Sequence, residues 1–346
     1  MVSLSVRKQP AVAGDGLRPV NLKTDLAPLA DLIELVFADS MDNSGRAAIR
    51  EMRYLSRMGP GLSMIIGMND LVQGVSLGYV WVAEGKLVGN ISIYQAAQWP
   101  RELGHAWIIA NVAVHPEYRR RGIARQLMAA SMDAISARSR GKRGPAHAVL
   151  QVEAHNPAAQ HLYRGFGFLA ERRWLHWRRA SSRHLPRPID AGSVFITRRR
   201  AGEWRAEYAL AQQVRTAEAG GMGWLRPLHP KLFRQSGWAA LNDNLNLRSR
   251  ERLIIRADDH APKSALLASL WIETGFAVSS TQLTLLTAPD YTGLYDHALL
   301  NLAVRRYGQR SALTIEHPAD ETITNALLAQ YNFVQKRDLL HMRWTR

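Results

Sequence analysis

The sequence of 346 residues contains no cysteine. Disulfides, thiolate metal sites and a cysteine nucleophile are excluded, and the absence is neutral between compartments. Long apolar runs are missing as well. No stretch approaches the ~18 apolar residues of a membrane helix, and the opening MVSLSVRKQPAVAGDG has no apolar core of signal-peptide length. A cytoplasmic protein with no membrane partner is expected. Acid is in short supply, 29 Asp and Glu against 45 Lys and Arg, for a formal charge of +16. The excess is spread over both halves, so it would attract nucleic acid, anionic lipid or a polyphosphate alike and identifies none of them.

What is present is a folded composition, 47% hydrophobic and 21% charged, in a chain long enough to prefer two domains over one core. Residues 1–16 read as a loose lead-in. From Leu17 a short strand and a turn lead to a helix with Leu29, Leu32, Ile33, Val36 and Phe37 on one face, and a second helix is expected over Ala47–Met58. GYVWVAEGKLVGNISIYQA alternates and breaks at Glu84-Gly85, which predicts a hairpin. AWIIANVAVHP and HAVLQVEAH read as strands separated by a helix over Gly122–Arg138. Asn156-Pro157 starts the next helix, with Asn as cap and Pro at the first position. GFLAERRWLHW returns as a strand. Two parallel strands around a helix, flanked by antiparallel ones, predict a mixed α/β sheet.

After Ala180 the stretch SSRHLPRPIDAG is rich in proline and charge and reads as a linker. GEWRAEYALAQQVRTAEAG is helical in pattern, and strand signals resume at ERLIIRA, SALLASLWIE, TQLTLLTAP and SALTIEH. This order echoes the first half. LTIEH, a helix and YNFVQKRDLLHMRW parallel LQVEAH, a helix and FGFLAERRWLHWRR, as TLLTAPDY parallels VAVHPEY, which suggests duplication of a whole domain.

One stretch calls for a local electrostatic explanation. In HPEYRRRGIARQL, three arginines precede a glycine at the expected start of a helix. First-turn amides have no intrahelical acceptors, so an anion there meets several N–H donors and the positive end of the helix dipole. Glycine at 122 clears space beside the backbone, and Arg119, Arg120 and Arg121 offer guanidinium forks to further phosphate oxygens. A solvated helix start explains the turn equally well when it is taken alone.

The segment V-A-V-H-P-E-Y-R-R-R-G-I-A-R-Q-L resembles the acetyl-coenzyme A motif of the GCN5-related N-acetyltransferases, with Arg119, Gly122 and Ala124 at the named places of its loop. N-P-A-A-Q-H-L-Y-R-G-F-G-F follows at the family's spacing, with Asn156, Ala159, Leu162, Tyr163, Gly167 and Phe168 at preferred positions. The resemblance spans about Leu17–Arg178. It implies a mixed, mostly antiparallel sheet whose two central parallel strands splay apart, flanked by helices, and duplicated here. It also implies acetyl-CoA as co-substrate, held by Asn111, Val112, Ala113, Val114, Arg119, Arg120, Arg121, Gly122, Ile123, Ala124, Asn156 and Tyr163. Val112 and Val114 are then expected to offer main-chain bonds to the pantetheine arm.

An acyl thioester is already activated, so the protein has to orient an amine, accept its proton and help the thiolate leave. Tyr163 matches the family tyrosine that serves the departing sulfur. Glu153 is the first candidate for the base, beside the alternative that it pairs with a nearby arginine; His105, His155 and a water chain are others. Gln151 stands where many relatives carry an acid. Arg125, Arg172 and Arg173 are either phosphate contacts or a solvated charge run, and Trp174, His176 and Trp177 fit core packing. The acceptor site is sought among Tyr94, Trp99, Asp39, Asp42 and Glu51.

The expected organisation is a lead-in over 1–16, an acetyl-CoA-binding domain over 17–180, a linker over 181–200 and a degenerate copy over 201–346. In that copy Tyr295 falls opposite Gly122 and Leu328 opposite Tyr163, so cofactor binding there is doubtful. The function implied is acetyl transfer to a primary amine of a small molecule or peptide. A non-catalytic acyl-CoA sensor and a basic nucleic-acid-binding protein are the competing readings. The latter is disfavoured, because the sequence has neither a zinc-ligand pattern nor an aromatic-interleaved basic stripe.

Overall fold

The structure is a computed structural model that describes residues 15–38, 41, 43–57, 77–189, 194–234, 248–258, 264–275 and 280–346. These residues divide into two compact units. One comprises the described part of Met1–Leu150 with Ala158–Leu169 and Arg343–Arg346; the other comprises Gln151–Pro157 with the described part of Ala170–Met342.

In the first unit the strands are β1 (Gly16–Pro19), β2 (Tyr79–Ala83), β3 (Lys86–Gln95), β4 (His105–Val114) and β5 (Ala146–Glu153), which enters the second unit after Leu150. They neighbour one another in chain order. The pairs from β1 to β4 are antiparallel, and β4 runs parallel to β5. Glu84 and Gly85, both at positive φ, make the expected tight turn between β2 and β3. The C-terminal Arg346 exchanges main-chain hydrogen bonds with Ala146, on β5.

Helix α1 (Leu22–Phe37) starts at Asn21, whose side chain accepts the Lys23 amide. Its buried Leu26, Leu29, Leu32 and Ile33 share a core with Val80, Val82 and Leu87 of the sheet, and with Ile49, Met52 and Leu55 of α2 (Asn43–Leu55). The sequence placed α2 some four residues later, because its start carries no apolar residue that marks the period. Helix α3 (Ile123–Ser139) buries Ile123, Leu127, Met128, Met132 and Ile135.

Gly89 on β3 sets how closely α3 approaches. A Cβ there would stand 2.9 Å from Ile123 Cγ2 and 3.1 Å from Leu127 Cδ1, so the first turn of α3 is seated by the missing side chain. Helix α4 (Pro157–Arg164) follows β5, starts with Pro157 and stops before Gly165, as the sequence predicts.

The second unit contains β6 (Leu169–Arg179), whose residues from Ala170 on belong to it, then β7 (Thr197–Arg198), α5 (Trp204–Val214), β8 (Arg248–Arg256), β9 (Leu266–Gly275), β10 (Ser280–Thr287), α6 (Tyr295–Tyr307), β11 (Ala312–Pro318), α7 (Thr322–Gln330) and β12 (Val334–Thr345) up to Met342. Its strand order is β12-β6-β11-β10-β9-β8-β7. Here β10 and β11 are the parallel pair, while β11 with β6, β10 with β9, and β9 with β8 are antiparallel. One core joins Leu270, Leu285, Leu299, Leu313 and Leu328; another gathers Leu210, Phe233, Trp271 and Leu286. The linker stretch after Ala180 is tethered by Arg179, whose guanidinium donates to the carbonyls of Tyr331, Gly308 and His184.

The close seating of α3 is testable. Gly89→Val overpacks that contact, and stability should fall by about 1–3 kcal/mol, read from the midpoint of urea unfolding. An unchanged midpoint would contradict the packing described.

Candidate active site

The parallel pairing of β4 with β5 covers His105↔Ala146 through Ile108↔Val149 and goes no further. Beyond Ile108 no further pair with β5 forms, and backbone groups on that side of β4 have no ladder partner among the described residues. A bulge accompanies the parting. The β3–β4 register shifts between Asn90 and Ser92, and Asn111 opposite takes φ 53°. Two buried polar residues hold this irregularity: Asn90 Nδ2 donates to the Asn111 carbonyl at 3.0 Å, and Asn111 Nδ2 donates to Ser92 Oγ at 3.3 Å. Sequence reasoning missed Asn90 and Ser92, because a bulge is decided by pairing across strands and leaves no local pattern.

After Val114 the chain makes a short 3-10 turn, Pro116–Tyr118, and reaches the arginines. Arg120 has φ 60° and Gly122 φ 77°, two left-handed residues that reverse the chain into α3. For an L residue at 122 this conformation is strained. A Cβ built on Gly122 meets nothing within 4 Å, so the position faces open space. The first helical bond is donated by Gln126 to the Gly122 carbonyl at 3.1 Å. The amides of Gly122, Ile123, Ala124 and Arg125 therefore precede the intrahelical ladder. The first turn of α3 carries no acidic residue.

The arginines do different things. Arg119 Nε donates back to the Val114 carbonyl at 3.3 Å, and Arg121 donates to the Glu117 carbonyl at 3.0 Å with its guanidinium over the Tyr118 ring. Arg120 makes no hydrogen bond or ion pair among the described residues and is exposed. The arrangement is a set of main-chain donors beside Arg120 and Arg125, both exposed and without an ion-pair partner among the described residues, and such a set can hold a polyphosphate.

Tyr163, on α4, lies in the same unit. It is 6% exposed and rests against Phe168, with ring centroids 6.2 Å apart. Burial pushes its phenol up to about 12, so it keeps its proton throughout the neutral range, as a proton or hydrogen-bond donor requires. Its hydroxyl makes no hydrogen bond among the described residues.

The other expected residues are placed as follows. Glu153 and Asn156 fall in the second unit. There Glu153 Oε1 accepts two hydrogen bonds from Arg337, at 2.8 and 3.0 Å, and the Asn156 amide donates to the Glu153 carbonyl. Arg172 binds Asp320 and Glu321, and Arg173 binds Asp338, so these two are ion-paired. Burial and Lys142 lower the His105 imidazole. Tyr94 hydrogen-bonds with Ser92 and Asn111, and burial raises its phenol. The Trp99 ring packs on His147 at 5.4 Å. Glu51 is exposed, and Asp39 and Asp42 lie outside the described residues.

The second unit repeats the parting of strands with different contents. The pairing of β10 with β11 runs from Ser280↔Ala312 to Leu283↔Ile315 and ends, and a 3-10 turn, Pro289–Tyr291, precedes α6. Tyr295 then opens α6, stacked on Tyr291 at 4.7 Å. The buried Asp296 carboxylate accepts the Gly293 amide and the Thr324 hydroxyl. The helix start is thus filled by the chain's own ring and acid. Nearby lies a cavity of about 370 Å3 lined by Thr287, Thr292, His317, Asp320 and Thr324 among others.

The described helices include none long and apolar enough to cross a membrane. Residues 76–169 match the family model described as an acetyltransferase (GNAT) domain. Among curated proteins none matches the sequence. A GCN5-related N-acetyltransferase from Sphaerobacter thermophilus superposes with a TM-score of 0.57 at 15% identity, over 95% of each chain. The GCN5-related glucosamine N-acetyltransferase region of a fungal multi-domain GH3 β-N-acetylglucosaminidase gives 0.55 at 13% identity, over 96% of this chain and 38% of that one. A tandem GNAT protein from the clavulanic acid biosynthesis pathway covers 95% of this chain and 98% of its own, at 14% identity and a TM-score of 0.46. At these identities the structural likeness speaks for the fold, and the sequence match speaks for the first domain. Residues 76–169 therefore carry an acetyltransferase (GNAT) domain, in a chain whose fold is that of GCN5-related N-acetyltransferases.

Proposed function

We propose that the protein transfers an acetyl group from acetyl-CoA to a primary amine of a small molecule or peptide, in the cytoplasm, with one working site in the first half. The observation that supports this reading most is the open start of α3. Gly122 at φ 77°, free first-turn amides and an uncommitted Arg120 suit a pyrophosphate. The unpaired stretch of β4 after Ile108 suits the pantetheine amides, which add to a sheet edge as a strand does. In this reading Val112 and Val114 supply main-chain bonds, and Ala113, Ile123 and Ala124 line the cofactor's path. Arg119 and Arg121 swing from their carbonyl partners to the phosphates, and Asn156 borders the cofactor.

Acetyl-CoA, once bound, supplies the activated thioester; the chain's residues position it and manage protons. The amine attacks the thioester carbonyl, the C–S bond breaks, and Tyr163 hands a proton or a hydrogen bond to the leaving sulfur. Glu153 remains the first candidate for accepting the amine's proton, by way of water, although its carboxylate is shared with Arg337. The second half acts as a non-catalytic copy that supports the fold. Tyr295 and Asp296 hold its helix start, and Leu328 stands where Tyr163 does.

Two substitutions test the assignment. Gly122→Glu brings bulk, backbone strain and negative charge to the cradle, and calorimetric affinity for acetyl-CoA should fall at least about tenfold, a loss of 1.4 kcal/mol or more. Unchanged affinity would remove the cradle from the account. Tyr163→Phe should lower amine-dependent thiol release by about 100-fold with little effect on acetyl-CoA affinity. Equal rates in the two proteins would strip the hydroxyl of its role.

A further inference from the structure

The second unit contains a group of side chains for which acyl transfer has no use. Its strands include the run β12-β6-β11, and Glu316 of β11 is the register partner of His176 of β6. With His341 of β12 they converge, so that one ligand atom from each lies within 4.8 Å of the other two. Glu316 Oε1 is 3.2 Å from His341 Nε2 and 3.5 Å from His176 Nε2.

Both approaches are within ion-pair range, but their angles are poor for hydrogen bonds. Glu316 Oε1 and His176 Nε2 are both buried, yet neither has a partner in hydrogen-bonding geometry. Buried polar atoms are rarely left so, and each such case calls for an explanation such as an ion. The surroundings hold the group in place. The His341 ring is stacked on Trp174 at 5.7 Å and meets the edge of Trp224 at 5.3 Å. The Trp224 amide donates to Glu316 Oε2 at 3.4 Å, which leaves Oε1 to face the histidines. Gln151 brings its amide within 2.9 Å of His341 Nε2, and a reversed amide would present oxygen to the same point.

We propose that His176, Glu316 and His341 form a site for a divalent first-row transition metal of the zinc type, with Gln151 or a water completing four-coordination. Two neutral imidazoles and one carboxylate are a donor set that zinc accepts readily. Magnesium and calcium favour an all-oxygen shell and suit it poorly. Because each ligand comes from a different strand, a bound ion would tie β12 to β6 and β11. Binding should therefore stabilise the fold by mass action. The sequence conceals this site, since the ligands lie far apart and no two have a metal-motif spacing; only the register brings them together.

The test is zinc titration of the metal-stripped full-length protein by calorimetry, with thermal unfolding in parallel. One zinc per chain and a raised melting temperature are expected. His176→Ala and His341→Ala should each weaken zinc by more than the about 100-fold that loss of an outer-shell partner can cause, and magnesium should not compete. Glu316→Gln preserves shape and serves if an alanine variant does not fold. Cobalt(II) added to the wild-type protein gives a spectroscopic reading that needs no variant, since a four-coordinate site yields strong visible absorption. No uptake of zinc or cobalt overturns the proposal. So does uptake that survives unchanged in folded His176→Ala and His341→Ala proteins.

Discussion

The first half is organised around a place where two strands stop pairing. β4 and β5 begin side by side and separate after Ile108 and Val149. A strand that loses its neighbour keeps main-chain donors and acceptors that must find other partners or water. The bulge at Asn111, fixed by Asn90 and Ser92, falls in the part of β4 beyond the last pair with β5. The loop of arginines then carries the chain into α3, whose first amides precede the intrahelical ladder. Gly89 matters here as well: it lets α3 lie close enough to β3 for that helix start to be placed reproducibly. Main-chain geometry accounts for most of the cradle, and side chains refine it.

The second unit also contains a parallel pair that parts, with different contents beside it. β10 and β11 part in the same manner, and a 3-10 turn again leads into a helix. At the helix start, Asp296 already satisfies an amide and Tyr295 already fills space. A carboxylate at a helix N-terminus is stabilised by the dipole in the same way as a phosphate would be, so the unit is self-satisfied where the first one is open. The surplus chemistry of this unit lies instead on the face of its sheet, where His176, Glu316 and His341 meet.

Much of the first half was legible because its signals are local. The tight turn at Glu84-Gly85, the proline that opens α4, the glycine that ends it and the arginine-glycine loop each state a backbone requirement within a few residues. The end of the β4–β5 ladder came only with the family resemblance, since nothing within either strand marks where a parallel pair stops. The contact of Gln151 with His341 and the register of Glu316 with His176 are made across strands, and no pattern within either strand announces them. The partners of Glu153, Arg172 and Arg173 were illegible for a simpler reason: Arg337, Asp320 and Asp338 are distant in the chain and become neighbours through strand order alone.

Amide chemical-shift mapping with added acetyl-CoA reads most directly where a nucleotide settles. The largest changes are expected at Arg120 through Arg125 and along Val112 to Val114, with the amides of Gly293 to Asp296 left in place. Changes centred on Gly293 to Asp296, or none in either segment at saturating acetyl-CoA, would contradict that placement.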